Sequence, residues 1–327
     1  MGHKRFMVLS IILVLFTFTL NSFSQSDTEF SSAKKLYLNK NFNEAKHRFI
    51  TIFNEDNSND SAAFYIGKIF FQQGEYDESI QWFERAIAVN DSSSEYYHQI
   101  GLVYGLKAQN AGLFKKPGLA KSMKKNVERA IKLDPNNIAA RFSLLNYLLQ
   151  APGFMGGGKD KAKQQAEEIK KIDEENGYIA MASVYESEKQ LDLAENALRQ
   201  VINMDSTNLD NYMRLGGFFT RTHQYNQAIK TFENIISINP QKMDAYYQIG
   251  KVGAVSGQFL DKAESSMTHF LTKAQDQNDD YTIWAHYRLG MIYEKMKKPK
   301  QAIDAYQAAL NLDPAMKLAK EALKKLQ

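Results

Sequence analysis

The segment that decides the fold is residues 209–242, which read LDNYMRLGGFFTRTHQYNQAIKTFENIISINPQK. Small residues at Gly216 and Ala228 stand among large aromatic ones, and Pro240 comes near the end. Equivalent residue types recur 34 positions away along the chain. The clearest of these pairs are Phe49 and Phe83, Gly67 and Gly101, Ala194 and Ala228, Tyr212 and Tyr246, and Gly216 and Gly250. A fixed interval of this length predicts tandem copies of one small structural unit.

Each copy predicts two helices joined by a tight turn. Neither helix can bury its apolar face alone, so neighbouring copies must stack and share a core. Glycine and alanine allow the paired helices to approach closely, and aromatic side chains fill the space between one pair and the next. Pro240 and Pro314 end the second helices of their copies, because proline cannot continue a helix and disfavours helix at the preceding residue.

This pattern resembles that of the tetratricopeptide repeat family, in which an aromatic residue, Leu-Gly, Tyr, Ala, Phe, Ala and Pro stand at set offsets. The clearest copies are residues 60–93, 209–242 and 283–316. In the last of them the pattern reads Leu289, Gly290, Tyr293, Ala302, Tyr306, Ala309 and Pro314. The resemblance implies an all-α fold, a right-handed superhelical solenoid of about eight helix-turn-helix repeats, and a protein that holds a partner.

The repeat array is predicted at 26–316, followed by a C-terminal capping helix at 317–327. The individual copies are placed at 26–59, 60–93, 94–137, 138–174, 175–208, 209–242, 243–282 and 283–316. In the last segment Leu318, Ala322 and Leu326 recur every four residues beside lysines, as expected of an amphipathic helix that covers the end of the stack. Because these segments account for the chain from 26 onward, we expect no separate catalytic domain.

The first 24 residues differ in kind from the rest. Lys4 and Arg5 precede an apolar stretch at 6–20, and small residues follow at Ser22 and Ser24. This arrangement predicts a signal peptide, residues 1–24, cleaved after Ser24. The alternative is an uncleaved anchor, but the stretch would span about 22 Å as a helix, less than the ~30 Å hydrocarbon core. We expect an exported protein, periplasmic first of all and fully secreted as the alternative, with no transmembrane span after cleavage.

Composition excludes several classes of chemistry. The chain has no cysteine, which rules out disulfides, thiolate metal sites and a thiol nucleophile. Its histidines, at 3, 47, 98, 223, 269 and 286, form no metal-ligand spacing, and no G-x-S-x-G motif occurs. Without Lys4 and Arg5 the 41 basic side chains become 39, against 37 acidic ones, so no nucleic-acid partner is expected. We predict that the protein is not an enzyme and needs no metal or cofactor.

Two segments exceed the repeat period. The third copy holds extra residues at 108–118, and the fourth holds a shorter insertion at 151–158. Insertions at equivalent turns of stacked repeats fall on one face, which is often the binding face. Together they resemble a subgroup of bacterial exported tetratricopeptide proteins, a resemblance that implies no particular ligand.

The segment 107–132 is strongly basic, with eight cationic side chains and one acidic one. As the solvated outer face of an amphipathic helix it needs no ligand. The alternative is contact with an anionic envelope component, a glycan or a lipid. The lysines available for that contact are Lys115, Lys116, Lys121, Lys124 and Lys125.

The glycine-rich segment 153–159 matches seven positions of the phosphate-binding G-x-x-x-x-G-K-[ST] loop, but Asp160 stands where a hydroxyl is required. Residues 144–150 before it predict a helix, whereas that loop follows a strand. Two interpretations stay open for Gly156 to Gly158. Either the N–H groups at the start of the next helix hold an anion, or the segment is a structural turn with Asp160 as the helix N-cap.

The favoured function is a protein- or peptide-binding scaffold in the cell envelope. In the family the first helices of the repeats line a concave surface, which implies contact residues at matching offsets here. Those positions are Phe64, Lys68, His98, Phe142, Asn146, Met213, Arg221, Tyr247, Lys251, Tyr287 and Lys295. Aromatic, methionine and cationic side chains are common at binding surfaces. The alternatives are that several of them only complete the packing, or that the protein is a glycan- or lipid-binding module that uses the basic segment.

Overall fold

The computed structural model describes residues 28–273 and 280–326. The predicted signal peptide lies outside these residues. Within them all regular structure is helical, with one short 3-10 turn and no strand. The chain divides into two units, Met1–Asp173 and Glu174–Gln327.

The described part of the first unit is a series of helix pairs in which each helix packs on the next. The helices are α1 (28–38), α2 (Phe42–Glu55), α3 (Asp60–Gln72), α4 (Tyr76–Val89), α5 (Ser94–Asn110), α6 (Lys116–Leu133), α7 (Ile138–Gln150) and α8 (Lys159–Ile172). Fully buried Phe49, Phe83 and Ile169 lie on the second helices of their pairs, facing the first ones. The apolar stripe of each helix is therefore covered only because a neighbour lies against it.

The second unit repeats the same arrangement. Its helices are α9 (Glu174–Ser187), α10 (Leu191–Met204), α11 (Leu209–Arg221), α12 (Tyr225–Ile238), α13 (Met243–Ser256), α14 (Leu260–Lys273), α15 (Asp280–Lys295), α16 (Pro299–Leu312) and α17 (Lys317–Leu326). The last helix, α17, packs on α16 and buries Ala319 and Leu323. Its exposed side carries the lysines, as an end-covering helix requires.

The helix pairs close up where a glycine on the first helix faces an aromatic ring on the second. A Cβ atom at Gly216 would lie 2.5 Å from the ring of Phe232, and one at Gly290 would lie 2.5 Å from the ring of Tyr306. Carbon atoms pack best at about 3.5–4.0 Å, so any side chain at these two positions would overlap the ring. The glycines of the sequence pattern are thus required by packing between paired helices.

Several first helices begin at a polar cap. The side chains of Asn59, Ser93, Asn137 and Asn208 each accept a hydrogen bond from a backbone N–H in the first turn of α3, α5, α7 and α11, respectively. Such a cap satisfies a donor that has no partner inside the helix and fixes where the helix begins. The start of these helix pairs is therefore set by local sequence.

The pair α5 and α6 is longer than its neighbours. These helices have 17 and 18 residues, whereas α3, α4, α7 and α8 have 13 or 14. The extra residues predicted as an insertion at 108–118 mostly continue the helices, since Pro117 lies in the first turn of α6, where proline is tolerated. Both helices gain about one turn, ~6 Å, and leave a short tip at 111–115.

The segment 151–158 is a tight turn held against α7. Tyr147 donates a hydrogen bond of 2.8 Å from its hydroxyl to the carbonyl oxygen of Met155. The backbone N–H of Gly158 donates to the carbonyl oxygen of Leu148, also at 2.8 Å. The predicted helix at 144–150 is confirmed as the end of α7, and the turn is anchored to it at two points.

Two glycines of this turn are required by geometry. Gly156 has a φ of 87°, in the left-handed region that glycine adopts easily. A Cβ atom on Gly157 would lie 1.9 Å from the carbonyl oxygen of Ala151. The expectation that Asp160 caps the next helix is wrong, because α8 already begins at Lys159 and Asp160 lies in its first turn.

Candidate partner-binding surfaces

Three cationic side chains lie on the consecutive first helices α11, α13 and α15 of the second unit, where the charges of the two arginines act on the lysine. Arg221, Lys251 and Arg288, one from each helix, form what we call the cationic cluster. Lys251 is partly buried and makes no hydrogen bond or ion pair with the residues that the structure describes. Burial lowers the pKa of Lys251, and the positive charges of Arg288 and Arg221 lower it further. An anion placed here would relieve this repulsion.

The two arginines of the cationic cluster differ in how they are held. Arg221 forms two parallel bonds with the carboxylate of Glu186, from Nε at 2.8 Å and from Nη2 at 2.9 Å. Arg288 donates to the hydroxyl of Tyr247, and its guanidinium lies 5.1 Å from the ring centre of Trp284. No carboxylate of the described ranges pairs with Arg288. Lys251 and Arg288 therefore hold the unbalanced positive charge of this face.

Exposed aromatic side chains lie beside the cationic cluster. Tyr281 is 54% exposed and Trp284 is 37% exposed, although both are large and partly apolar. The ring of Tyr281 packs edge-on against that of Tyr247, 5.2 Å between centres, and Tyr287 packs edge-on against Trp284 at 5.7 Å. The face thus combines an unbalanced cation with accessible aromatic surface, a pairing common at binding surfaces.

The prediction is wrong for three of the contact residues, which are buried and serve packing instead. Phe64 lies beneath the surface with its ring centre 4.6 Å from that of Tyr96. His98 shares a hydrogen bond of 2.9 Å with the hydroxyl of Ser143, and burial lowers the pKa of its imidazole. Tyr247 is buried beneath the cationic cluster. These side chains support the surface from below and cannot themselves contact a partner.

The other predicted contact residues reach solvent to different degrees. Those that are partly buried are Lys68, Phe142, Met213, Lys251 and Tyr287, and those that are exposed are Asn146, Arg221 and Lys295. The ammonium of Lys68 lies 5.3 Å from the ring centre of Tyr37, so this lysine covers an aromatic surface of the first unit. The cationic cluster draws together Arg221 and Lys251 alone among the predicted positions.

Sequence reasoning missed Trp284 and Arg288. They are four residues apart, so they share one face of α15, and that spacing is the signal that could have found them. The predicted offsets do not lead to them. Aligned on the packing glycines Gly250 and Gly290, the counterpart of Tyr247 is Tyr287, and Arg288 stands one residue later.

The lysines of the basic segment fall into two groups. Lys115, Lys116, Lys121 and Lys125 are exposed. Lys124 instead lies 3.5 Å from the carboxylate of Glu128 and 5.7 Å from the ring centre of Tyr147, and its ammonium touches the turn at Gly156. Lys124 therefore joins α6 to the glycine turn, and its contact with an anion stays a prediction.

Within residues 28–273 and 280–326, no group of three or more His, Asp or Glu side chains could hold a metal ion. Every helix in these two ranges is too short or too polar to span a membrane.

Comparison with known proteins agrees with the repeat. Models described as tetratricopeptide repeat match residues 175–208, 209–242 and 283–316, and one described as TPR repeat matches 67–107. A tetratricopeptide repeat protein of Parabacteroides merdae superposes with a TM-score of 0.55 at 11% identity, covering 92% of this chain and 98% of that one. This likeness extends the repeat fold over most of the chain.

Two curated relatives are much longer than this chain. Human Superkiller complex protein 3 is 22% identical over 244 residues, which is 73% of this chain and 15% of the human one. Anaphase-promoting complex subunit 3 of Schizosaccharomyces pombe is 27% identical over 144 residues, 44% of this chain and 21% of that one. The chain therefore spans 15% to 21% of the length of these relatives.

The helix pairs are stacked, and in each clear pair a glycine of one helix packs against an aromatic ring of the other. This arrangement defines an all-α helical repeat protein of the superhelical solenoid class. The family models and the structural likeness identify the repeat. The chain belongs to the tetratricopeptide repeat family.

Proposed function

We propose that this protein is a non-enzymatic scaffold that binds a protein or peptide partner on the face formed by α11, α13 and α15. The observation that carries the proposal is Lys251, which is partly buried, is repelled by the charges of Arg221 and Arg288, and has no ion pair to the described residues. Burying an unpaired ammonium is unfavourable unless an anion pairs with it. A partner carboxylate, from an acidic side chain or a chain terminus, has the charge and the size to do so.

The partner should also carry an apolar side chain next to its acidic group. Trp284 and Tyr281 offer exposed aromatic surface within a few ångströms of Arg288 and Tyr247. Aromatic side chains contribute more to binding than their number suggests, because they bury a large area with little loss of side-chain freedom. We therefore propose a short acidic and aromatic or aliphatic segment as the ligand class.

The curated relatives support the general form of this proposal. Superkiller complex protein 3 and Anaphase-promoting complex subunit 3 are, by their names, parts of complexes. Repeat folds host many unrelated functions, so this support extends to partner binding and not to any particular partner.

Selection from random peptides with free carboxyl ends should test the proposal. We expect the purified chain to enrich sequences that combine an acidic group with a large apolar neighbour. Trp284→Ala should lower the affinity for the selected peptides by about tenfold or more, as expected when a residue that dominates a binding surface is truncated. Affinities measured by isothermal titration calorimetry would check this.

The control is Trp82→Ala, which removes the other tryptophan, in the first unit, and should leave affinity unchanged. Trp284→Ala is preferable to Tyr247→Ala, because Tyr247 is buried and its loss would disturb packing. Enrichment of peptides without acidic groups would contradict the proposal. If acidic peptides are enriched, crosslinking in cells would identify the natural partner.

We also propose that the protein acts outside the cytoplasm, in the cell envelope, after removal of residues 1–24. The support is the basic start, the apolar stretch and the small residues at Ser22 and Ser24. The exported protein should then begin at Gln25, which its intact mass would report. A mass that includes the apolar stretch would contradict cleavage.

A further inference from the structure

The most exposed large apolar side chains of the described chain lie in two turns of the first unit. Phe114 is 98% exposed, Phe154 is 89% exposed and Leu113 is 84% exposed. Leu113 and Phe114 stand on the tip between α5 and α6, and Phe154 stands on the turn between α7 and α8. Single exposed apolar residues are ordinary, but three at the ends of adjacent helix pairs form a feature of the surface.

The tip and the turn are neighbours at the same end of the first unit. Each of them joins the first helix of a pair to the second, and the pairs are consecutive. Lys124, about two turns into α6, reaches across to Gly156 in the second turn. Because α5 and α6 are about one turn longer than α7 and α8, the tip projects ~6 Å further from the body of the unit.

Exposed lysines flank these apolar side chains. Lys115 and Lys116 follow Phe114, and Lys159 and Lys161 follow the glycine turn. Across 111–125 and 151–161 the sequence contains a single acidic residue, Asp160. Two lysines at the start of α6 are unfavourable for the helix, because the positive end of its dipole lies there. Helix stability therefore does not explain why these cations stand at the tip.

We propose that this end of the first unit docks peripherally on an anionic phospholipid bilayer. Leu113, Phe114 and Phe154 enter the headgroup region, and the flanking lysines lie against the lipid phosphates. A soluble glycan or other polyanion would engage the lysines but would leave the phenylalanine rings in water. Projecting aromatic side chains ringed by lysines instead match the layered chemistry of a membrane surface, apolar inside and anionic outside.

Both kinds of contact are needed for stable docking. Each lysine close to an anionic surface strengthens binding about fivefold, and each apolar ring taken out of water strengthens it about tenfold or more. One such signal alone gives only marginal attachment. The docking surface lies in the first unit and the cationic cluster lies in the second. A failed test of membrane docking would therefore leave the scaffold proposal intact, and a failed test of the scaffold proposal would leave membrane docking intact.

The absence of cysteine allows a local test. A single cysteine at Phe114→Cys or Phe154→Cys, labelled with a polarity-sensitive fluorophore in the full chain, should give a blue shift with vesicles of phosphatidylcholine and phosphatidylglycerol. Vesicles of phosphatidylcholine alone should give little shift. The matched control is Leu38→Cys, on α1 and 67% exposed, which should not respond. Any background from the apolar stretch at 6–20 is common to all three labelled chains.

Charge reversal measures the electrostatic contribution to vesicle binding separately from the apolar contribution. Lys115→Glu with Lys116→Glu, made in the Phe154→Cys chain, should weaken vesicle binding by about 25-fold or more. Lys320→Glu with Lys324→Glu makes the same change of charge on α17 and should have little effect. The proposal is overturned by an equal shift at Leu38→Cys, by an equal shift on phosphatidylcholine alone, or by binding to soluble heparin without any shift on anionic vesicles. Circular dichroism would verify that each variant is folded.

Discussion

Alanine at Gly216 should destabilise the second unit, and the same substitution should become stabilising once the ring of Phe232 is removed. In an otherwise empty site, Gly→Ala inside a helix gains about 1 kcal/mol. Here the new Cβ would lie 2.5 Å from the buried ring of Phe232, and such overpacking costs about 1–3 kcal/mol. We expect a net loss of up to about 2 kcal/mol in the wild-type background.

Phe232→Ala alone should cost about 3–5 kcal/mol, because the ring is fully buried. The cavity that it leaves has room for the methyl group of Gly216→Ala, so the second change should now recover up to about 1 kcal/mol. Urea unfolding followed by the fluorescence of Trp284, with Trp82 replaced by Phe, would report on the second unit. Repeat arrays depart from two-state unfolding, so midpoints are compared before free energies.

The matched control is the neighbouring glycine. A Cβ on Gly217 would meet only the end of the Arg221 side chain, at 3.4 Å, which is close to an ordinary van der Waals distance. Gly217→Ala should therefore stabilise the unit by up to about 1 kcal/mol. If Gly216→Ala and Gly217→Ala had the same effect, the ring of Phe232 would not be what requires glycine.

The fold was predictable because the residues that close each helix pair are near one another in sequence. Gly216 meets Phe232, and Gly290 meets Tyr306, each 16 positions later. Because each repeat carries its own glycine and its own ring, the same contact recurs with the period of the sequence. Family matches to 175–208, 209–242 and 283–316 coincide with three of the intervals found by this reasoning.

The extra residues of the third copy could not be placed in the same way. A loop insertion and a pair of longer helices both add residues to the interval, and Pro117 looks like a loop residue although the first turn of a helix accepts it. Asp160 misled for a related reason, because Gly158 already stands at the cap position of α8. Local rules name the residue type at a helix end but leave its boundary uncertain by a residue or two.

The candidate site was only partly predictable, since repeat offsets give the direction of a side chain and not its depth. Tyr247 points to the predicted face, yet Tyr281 packs on it and it is buried. Arg288 was missed because it stands two residues before Gly290, an offset that the repeat pattern does not assign to the concave surface. How deeply a side chain is buried, and where a helix begins, depend on the side chains packed around it. The residue type at one position does not specify either. The location of the protein and its partner stay predictions.

Lys251→Glu combined with Arg288→Glu should abolish binding of the acidic peptides that the chain selects. Truncating one side of a buried charge pair costs about 2–5 kcal/mol, or about 30-fold and more in affinity, and reversal adds repulsion. Lys300→Glu with Lys317→Glu is the matched control, because both lysines are exposed and lie on α16 and α17. An equal loss of affinity in the control would show that the net charge of the protein, and not the cationic cluster, causes the effect.

The affinity should also fall at alkaline pH, and Lys251 should be the cause. In the free protein, burial and the nearby arginines hold the pKa of Lys251 below its ordinary value of 10.5. A bound carboxylate favours the charged ammonium and raises that pKa, so binding takes up a proton once the pH passes the lowered pKa of the free protein. Affinity is therefore greatest below that pKa and declines above it.

Lys251→Arg provides the decisive comparison, because its guanidinium stays charged throughout this range. Calorimetry in buffers of different ionisation enthalpy should show proton uptake for the wild type at alkaline pH and none for Lys251→Arg. The variant should bind with a flatter pH profile even if its geometry makes it somewhat weaker at neutral pH. An equal alkaline decline in Lys251→Arg would assign the titration to another group and remove Lys251 from the centre of the site.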